Sequence, residues 1–283
     1  MHNAAFAALG LNWRYVAFEV DPKNLRAAID GAKAMNFAGI NLTVPHKLLA
    51  VDMVDTLDAS AKVWQAVNTI RFEGRTEKSG WLPLTNFETS PPIETRSVGF
   101  NTDADGLINS LHEDLGIQLS GKKVLVLGAG GAGRTAALKL ANENLSAIFL
   151  VNRTASKTGE IAREIRRGYP HIYIGLDYPR DPHSEIDLII NATSLGLKSD
   201  DPLPFVDREF PLKNALAAYD MIYRPAETPF LAAAKKAGCK TANGLGMLLH
   251  QGAKAFEIWT GKPAPLDVMR RALEENIYGG IKS

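Results

Sequence analysis

Lys122-Lys-Val-Leu-Val-Leu-Gly-Ala-Gly-Gly-Ala-Gly133 is the stretch whose reading decides the fold. Lys123 to Leu127 is an apolar run of strand length, and Ala132 to Asn142 carries a helical pattern. Between them Gly128, Gly130 and Gly133 stand at G-x-G-x-x-G spacing, with Ala129, Gly131 and Ala132 filling the turn. Gly128 suits a tight turn, Gly130 lets the backbone approach a pyrophosphate, and Gly133 lets the helix pack on the strand. The helix N-terminus adds free N–H donors and a positive dipole end. A plain strand-to-helix turn would also use glycine, so the flanks decide. A second apolar strand, Ala147 to Val151, ends where a ribose-reading residue is due. An acidic residue there would favour NAD. The chain has Asn152-Arg153-Thr154 instead, in which Arg153 can fork onto a 2′-phosphate and Thr154 can add a hydroxyl donor. That pattern reads as NADP.

The composition suits such a reading. A chain of 283 residues, 46% hydrophobic and 22% charged, is long enough for two cores. A net charge of +1 provides no overall field for nucleic acid or an anionic membrane. One cysteine, Cys239, excludes an internal disulfide, fits a reducing cytoplasmic compartment, and reads as a buried inert thiol. No apolar run reaches about 18 residues, the length of a spanning helix.

Along the chain, residues 3–9 read as a helix closed by Gly10 and Tyr15 to Val20 as a strand. Asp21-Pro22 reads as a cap opening a helix to about Met35, and Phe37 to Thr43 as a strand ending at Pro45. A helix near Asp58 to Gln65 leads to a strand from Ala66 to Phe72. Such alternation predicts a small, mainly parallel α/β sheet. Residues 74–97 break it. They are turn-rich, and read more simply as a peripheral insertion in a hairpin than as a functional loop. Ser97 to Asn101 resumes a strand and Asp103 to Leu115 a helix. From Lys122 to Asn243 strands fall near 123–127, 147–151, 172–176, 187–191, 216–220 and 239–242, with helices near 132–142, 155–167 and 228–237. Lys198 to Pro211 is proline-rich and reads as loop, and two closing helices fall near 246–259 and 266–276. The expectation is an α/β protein of two domains around a cleft. Residues 1–103 with 252–283 would form a substrate domain, and residues 104–251 a doubly wound parallel Rossmann domain.

Four polar clusters close predicted strands, where ligands of parallel sheets bind. They are Asn41-x-Thr43-x-Pro45-His46-Lys47; Val67-Asn68-Thr69; Asn101-Thr102-Asp103; and Asn243-Gly244-Leu-Gly246-Met247 with Gln251 one turn on. Lys47 alone could be a surface lysine. Paired with Asp103, its ammonium could sit at a carbonyl or alcohol oxygen. Hydride transfer needs such a partner, and general acid–base help is worth about 10²–10⁴-fold. Asp105 reads as a first-turn residue suited to the helix dipole, and His46, His112 and His250 as structural or surface residues. The histidines show no metal-ligand spacing, so no metal is expected. Asn41, Asn68 and Asn101 are either turn formers or ligands of a polyhydroxylated molecule, and Tyr223 is either core or crevice lining.

Taken together the segments resemble the shikimate dehydrogenase family. The resemblance is carried by Asn41-Leu-Thr-Val-Pro-His-Lys47, Ala66-Val-Asn-Thr69, Gly99-Phe-Asn-Thr-Asp103, Gly128 to Gly133, Asn152-Arg-Thr154, Asn191-Ala-Thr-Ser-Leu-Gly196, Asp220-Met-Ile-Tyr223 and Asn243 to Gln251. It implies reversible reduction of 3-dehydroshikimate by NADPH, a step of aromatic amino-acid synthesis. It implies that Lys47 and Asp103 form the catalytic pair and that Thr43, Asn68 and Gln251 bind substrate hydroxyls, with Tyr223 near the carboxylate. It implies that Met221 and Gly244 border the nicotinamide, and that closure of two α/β domains unites the ligands. The implied partners are a small-molecule substrate and, allowing for it, a second copy in a homodimer. Three departures stand out. The family's first strand and Ser-x-Ser-x-Pro segment do not precede Met1, which suggests a shortened chain or a misplaced start. Ala104 replaces a usual glycine, and residues 74–97 are longer than usual. A quinate/shikimate dehydrogenase preferring NAD, and a catalytically weak nucleotide-binding homologue, are the competing readings.

Overall fold

The computed structural model describes residues 1–87, 90–179, 181, 185–198, 200–205 and 209–279. It divides into one unit of Met1–Asp103 with Gln251–Leu273 and a second of Ala104–His250 with Glu274–Ser283.

The first unit opens with α1 (His2–Ala8) and α2 (Leu25–Ala34). Asp21 accepts the Lys23 N–H, and Pro22 starts the short 3-10 turn that feeds α2. Strand β1 (Gly39–Asn41), helix α3 (His46–Leu49), strand β2 (Thr56–Leu57) and helix α4 (Ala59–Trp64) follow. Strands β3 (Thr69–Arg75), β4 (Leu82–Pro83) and β5 (Glu94–Phe100) complete the sheet. Leu25, Ile29 and Ala32 of α2 bury against Val67, Ile70 and Phe72.

The strand order is β1-β3-β5-β2, with β4 beside β3. Only β2 and β5 pair in parallel, so the expected mainly parallel sheet is instead a mixed, chiefly antiparallel one. The reason lies in residues 74–97. Parallel neighbours need a crossover of a dozen or more residues, usually a helix. Here the turn-rich chain folds straight back, pairing Thr69 with Phe100 through to Arg75 with Glu94. The insertion is thus part of a long hairpin, the simpler of its two readings; residues 88 and 89 within it lie outside the described residues. Trp81 anchors it between the guanidinium groups of Arg75 and Arg96, 5.1 and 4.2 Å from the ring centre. Glu73 is buried between Arg71 and Arg96.

The strand expected at Tyr15 to Val20 does not form. Asn3 supplies what a neighbouring strand would. Its amide donates to the Tyr15 carbonyl (2.9 Å) and its oxygen accepts the Tyr15 N–H (2.7 Å). Val16 and Phe18 beyond it are exposed, so no apolar face drives pairing.

The second unit holds α5 (from Asp103 to Leu115), β6 (Lys123–Leu127), α6 (Gly131–Ala141), β7 (Ala147–Val151), α7 (Ala155–Gly168) and β8 (Tyr173–Gly175). It continues through β9 (Ile186–Asn191), β10 (Ala215–Asp220), α8 (Pro229–Lys236) and β11 (Lys240–Asn243). The closing helices are α9 (Leu245–Thr260) and α10 (Leu266–Tyr278); their residues Gln251–Leu273 count with the first unit. The sheet runs β11-β10-β9-β6-β7-β8, all parallel, as the doubly wound reading requires. The described part of Lys198 to Pro211 is loop and turn; residues 199 and 206–208 lie outside the described residues. Cys239 is buried, its thiol near the carbonyls of Leu212 and Ala215, and burial pushes its pKa up. Among the described residues no helix is long and apolar enough to cross a membrane, and no group of three or more His, Cys, Asp or Glu could hold a metal ion.

His2 is an acid-sensitive point of the fold. It is buried against Tyr15 and Trp259, with ring centres 4.5 and 5.4 Å away. Burial first, and then the adjacent N-terminal ammonium, push its pKa from 6.5 down to about 4. The folded chain therefore keeps His2 neutral while the unfolded chain takes up a proton below about 6.5. Stability falls as pH drops from there towards about 4, by up to about 3 kcal/mol from this group. Urea unfolding at pH 7 and pH 4.5 will show a smaller loss in His2→Phe than in the native chain; equal losses would place the acid sensitivity elsewhere.

Candidate active site

In the first unit, the start of β3 and the start of α5 bring together residues distant in sequence. Pro45 precedes α3, whose second residue is Lys47. Lys47 Nζ donates to Asp103 Oδ2 at 2.8 Å, with the two side chains 24% and 15% exposed. The ion pair expected from the strand-end positions is therefore present. It is shielded enough to be stronger than a surface pair, and open enough to meet a ligand. The Asp103 N–H is held by Asn101 Oδ1 at 3.1 Å, which sets the first turn of the helix.

Asn68 is the hub of this cluster. It is 1% exposed, and its Nδ2 lies 2.9 Å from Asp103 Oδ1, 2.9 Å from Thr102 Oγ1 and 3.2 Å from Gln251 Oε1. Its Oδ1 accepts the Thr102 N–H at 2.9 Å. Lys47, Asn68, Asp103 and Gln251 thus form one connected set. Thr43 is exposed, and its hydroxyl makes no hydrogen bond among the described residues. Asn41 is spent on structure: it accepts from Tyr15 Oη (3.0 Å) and donates to the Asn68 carbonyl (3.1 Å) and Thr69 Oγ1 (2.9 Å). His46 lies 2.9 Å from the Val20 carbonyl, and His250 pairs with Glu113.

In the second unit the glycine turn is built as its spacing demands. Gly128 has φ +104°, left-handed ground where a side chain is strained. A Cβ on Gly133 would lie 2.1 Å from the Gly128 carbonyl oxygen, so only glycine lets α6 sit against the turn. Gly130 caps α6 and has nothing within 4 Å of where its Cβ would be. Ala129 completes the turn, and Gly131 and Ala132 begin the helix. Asn152 is a brace: it accepts the Ala129 N–H (3.1 Å) and donates to the Thr154 carbonyl (3.0 Å). Arg153 and Thr154 are exposed just before α7. The cradle and the exposed guanidinium fit a dinucleotide bearing a 2′-phosphate. Asp105 pairs with Lys139 at 3.5 Å within this unit, leaving Asp103 as the carboxylate for Lys47.

The turns after β9, β10 and β11 are laced together in the same unit. Asp220 is fully buried and accepts from Asn191 Nδ2 (3.0 Å), Thr228 Oγ1 (2.6 Å) and the Ile222 N–H (3.0 Å). Burial raises its pKa against the three donors. Gly244 passes so close to Met221 that a Cβ would lie 2.2 Å from the Met221 carbonyl oxygen. Tyr223 is 38% exposed beyond them. The Asp220–Thr228 bond was invisible in sequence, where an aspartate ending an apolar strand carries no sign of its partner.

This fold and these groups define a nicotinamide-dependent oxidoreductase. The family model described as the shikimate dehydrogenase substrate binding domain matches residues 1–70. Those described as shikimate / quinate 5-dehydrogenase and shikimate 5'-dehydrogenase C-terminal domain match residues 110–197 and 244–274. A shikimate dehydrogenase (NADP(+)) of Desulforamulus reducens is 40% identical, over 99% of this chain and 91% of its own. A crystal structure of a shikimate dehydrogenase in complex with NADP+ superposes with a TM-score of 0.79 at 37% identity, covering 98% of this chain and 89% of that one. The ligand-free 5-ketofructose reductase of a Gluconobacter strain superposes equally well, TM-score 0.79 at 33% identity, covering 97% and 92%. The chain belongs to the shikimate dehydrogenase family. The substrate-domain match begins at residue 1, so it lends no support to the expected loss of an N-terminal strand and serine segment.

Gly133→Ala tests the turn. The backbone contact at 2.1 Å leaves no side chain to yield, so the substitution should cost about 1–3 kcal/mol. Chemical denaturation followed by far-UV circular dichroism will read it; an unchanged midpoint would mean α6 shifts freely.

Proposed function

We propose that this chain catalyses the reversible reduction of 3-dehydroshikimate to shikimate with NADPH. The Lys47–Asp103 pair, joined through Asn68 to Gln251 in the unit that carries the substrate-domain match, is the observation that carries the reading. Residues 128–133 with Asn152, Arg153 and Thr154 would hold NADP, and Met221 and Gly244 would border its nicotinamide. Bound NADPH supplies the hydride that reduces the carbonyl carbon.

The chain's own residues handle the oxygen and its proton. Lys47 Nζ hydrogen-bonds to the carbonyl oxygen and passes it a proton as it becomes an alcohol. In the reverse direction the neutral amine takes that proton back. Asp103 holds the ammonium in place and accepts a second substrate hydroxyl. Asn68 keeps the Asp103 carboxylate turned towards Lys47. Gln251, accepting from Asn68 through Oε1, keeps its amide N–H groups for a substrate hydroxyl. Thr43 contributes its hydroxyl, and Tyr223 meets the substrate carboxylate. Three donors and acceptors on a polyhydroxylated ring give selectivity, because an analogue lacking one hydroxyl leaves its partner unpaired.

The deciding experiment is NADP+ reduction by the purified chain with shikimate, quinate and, as a keto-sugar control run with NADPH, 5-ketofructose. Shikimate should give the largest kcat/KM; activity on 5-ketofructose alone would overturn the substrate assignment. Lys47→Ala should lower kcat by about 10²–10⁴-fold while NADP+ affinity changes by less than about two-fold. Near-normal turnover would reject the proton-transfer role. Arg153→Ala should weaken NADP+ binding by about ten- to a hundred-fold and leave NAD+ binding unchanged. Equal losses for both cofactors would remove Arg153 from the 2′-phosphate.

A further inference from the structure

We propose that Tyr278, in the last turn of α10, is a positioning residue that acts through Tyr223 to set the substrate-facing loop after β10. The inference rests on the reading of Tyr223 as the residue that meets the substrate carboxylate.

The loop from Met221 to Thr228 is tied down almost residue by residue. The Met221 N–H donates to the Asn191 carbonyl (3.0 Å), and the Ile222 N–H to Asp220 Oδ1 (3.0 Å). The Ile222 carbonyl accepts the Gly244 N–H (3.2 Å), and the Ala226 carbonyl accepts from Asn243 Nδ2 (2.8 Å). Thr228 closes the loop on Asp220. At Tyr223, the Tyr278 hydroxyl donates to the carbonyl at 2.7 Å. That bond orients the peptide between Tyr223 and Arg224, and with it the direction in which the Tyr223 ring leaves the backbone.

The direction of the Tyr278 bond is itself determined. Asn243 Nδ2 donates to the Tyr278 hydroxyl oxygen at 3.0 Å and to the Ala226 carbonyl, using both its N–H groups. Asn243 Oδ1 is taken by the Leu245 N–H (3.0 Å). The hydroxyl therefore accepts from Asn243 and sends its single proton to Tyr223, a chain in which each bond polarises the next. A tyrosine hydroxyl keeps its proton at neutral pH, and burial raises the pKa of Tyr278 further. The same Asn243 starts the turn whose Gly244 lies against Met221. One hydroxyl at the end of the closing helix thus joins the residue proposed for the substrate carboxylate to the turn proposed for the nicotinamide.

Tyr278→Phe removes only the hydroxyl and keeps the ring. Two measurements on the full chain test it. Amide hydrogen exchange without ligands should quicken at residues 222–226 by about five-fold or more, since a lost local bond lowers the opening cost there. KM for shikimate should rise about three- to ten-fold with kcat changed less than about two-fold, and Tyr223→Phe should raise it similarly. The double variant should then bind no worse than Tyr223→Phe alone, because both act at one point. Unchanged exchange at residues 222–226 would overturn the latch, as would additive effects on KM. A native chain inactive on shikimate would sink the reading of Tyr223 and the substrate half of the inference. That result is separable, because the exchange measurement needs no substrate.

Discussion

An ammonium and a carboxylate 2.8 Å apart, each mostly withdrawn from water, are the constraint on which the first unit depends. Withdrawing two charges is costly, and their mutual attraction repays it only if the remaining lone pairs are satisfied. Asn68 meets that need by donating to the second Asp103 oxygen, and Asn101 holds the Asp103 backbone. The pair is thus stable without being sealed. Lys47 keeps two of its three ammonium protons beyond the bond to Asp103, open to a hydrogen-bond acceptor.

The surrounding sheet exists to hold Asn68 and Asp103 side by side. Asn68 stands just before β3 and Asp103 just after β5, and the antiparallel pairing of Thr69 with Phe100 brings the two strand ends together. The hairpin that connects them places the insertion at the far end of the ladder, where Arg75 pairs with Glu94. A crossover helix would have made β3 and β5 parallel, and the start of β3 would then have lain at the opposite edge of the sheet from the end of β5. The return through Trp81 and the Glu73 ion pairs is therefore what aligns the site.

The second unit solves a different problem: presenting backbone N–H groups to an anion. Glycine at positions 128 and 133 lets strand, turn and helix approach closer than any side chain allows. Asn152 ties that turn to the chain before α7, so the glycine turn and Arg153 share one frame. The buried Asp220 knot does the same for the turns after β9 and β10. Rigid loops of this kind cost little entropy on binding, since their order is already established.

Much of this was legible in the amino-acid order. The parallel sheet, the glycine turn, and Lys47 and Asp103 as partners followed from local periodicity, spacing and strand-end position, which are short-range properties. Local pattern misled at Tyr15 to Val20, where Asn3 takes the backbone groups a strand would have paired. It misled again over the first sheet, because strand direction depends on how the chain returns and not on the strand's own residues. Asn41 read as either a turn former or a ligand, and in the structure it ties Tyr15 to the Asn68 carbonyl and Thr69. The sequence by itself determined which groups are available for the chemistry and the elements that carry them. Tertiary structure alone decided which of those groups meet: Asn68 with Gln251, Asp220 with Thr228, Tyr278 with Tyr223. Such contacts join residues up to 183 positions apart, and their geometry is set by packing, on which neighbouring residues in the chain have no bearing.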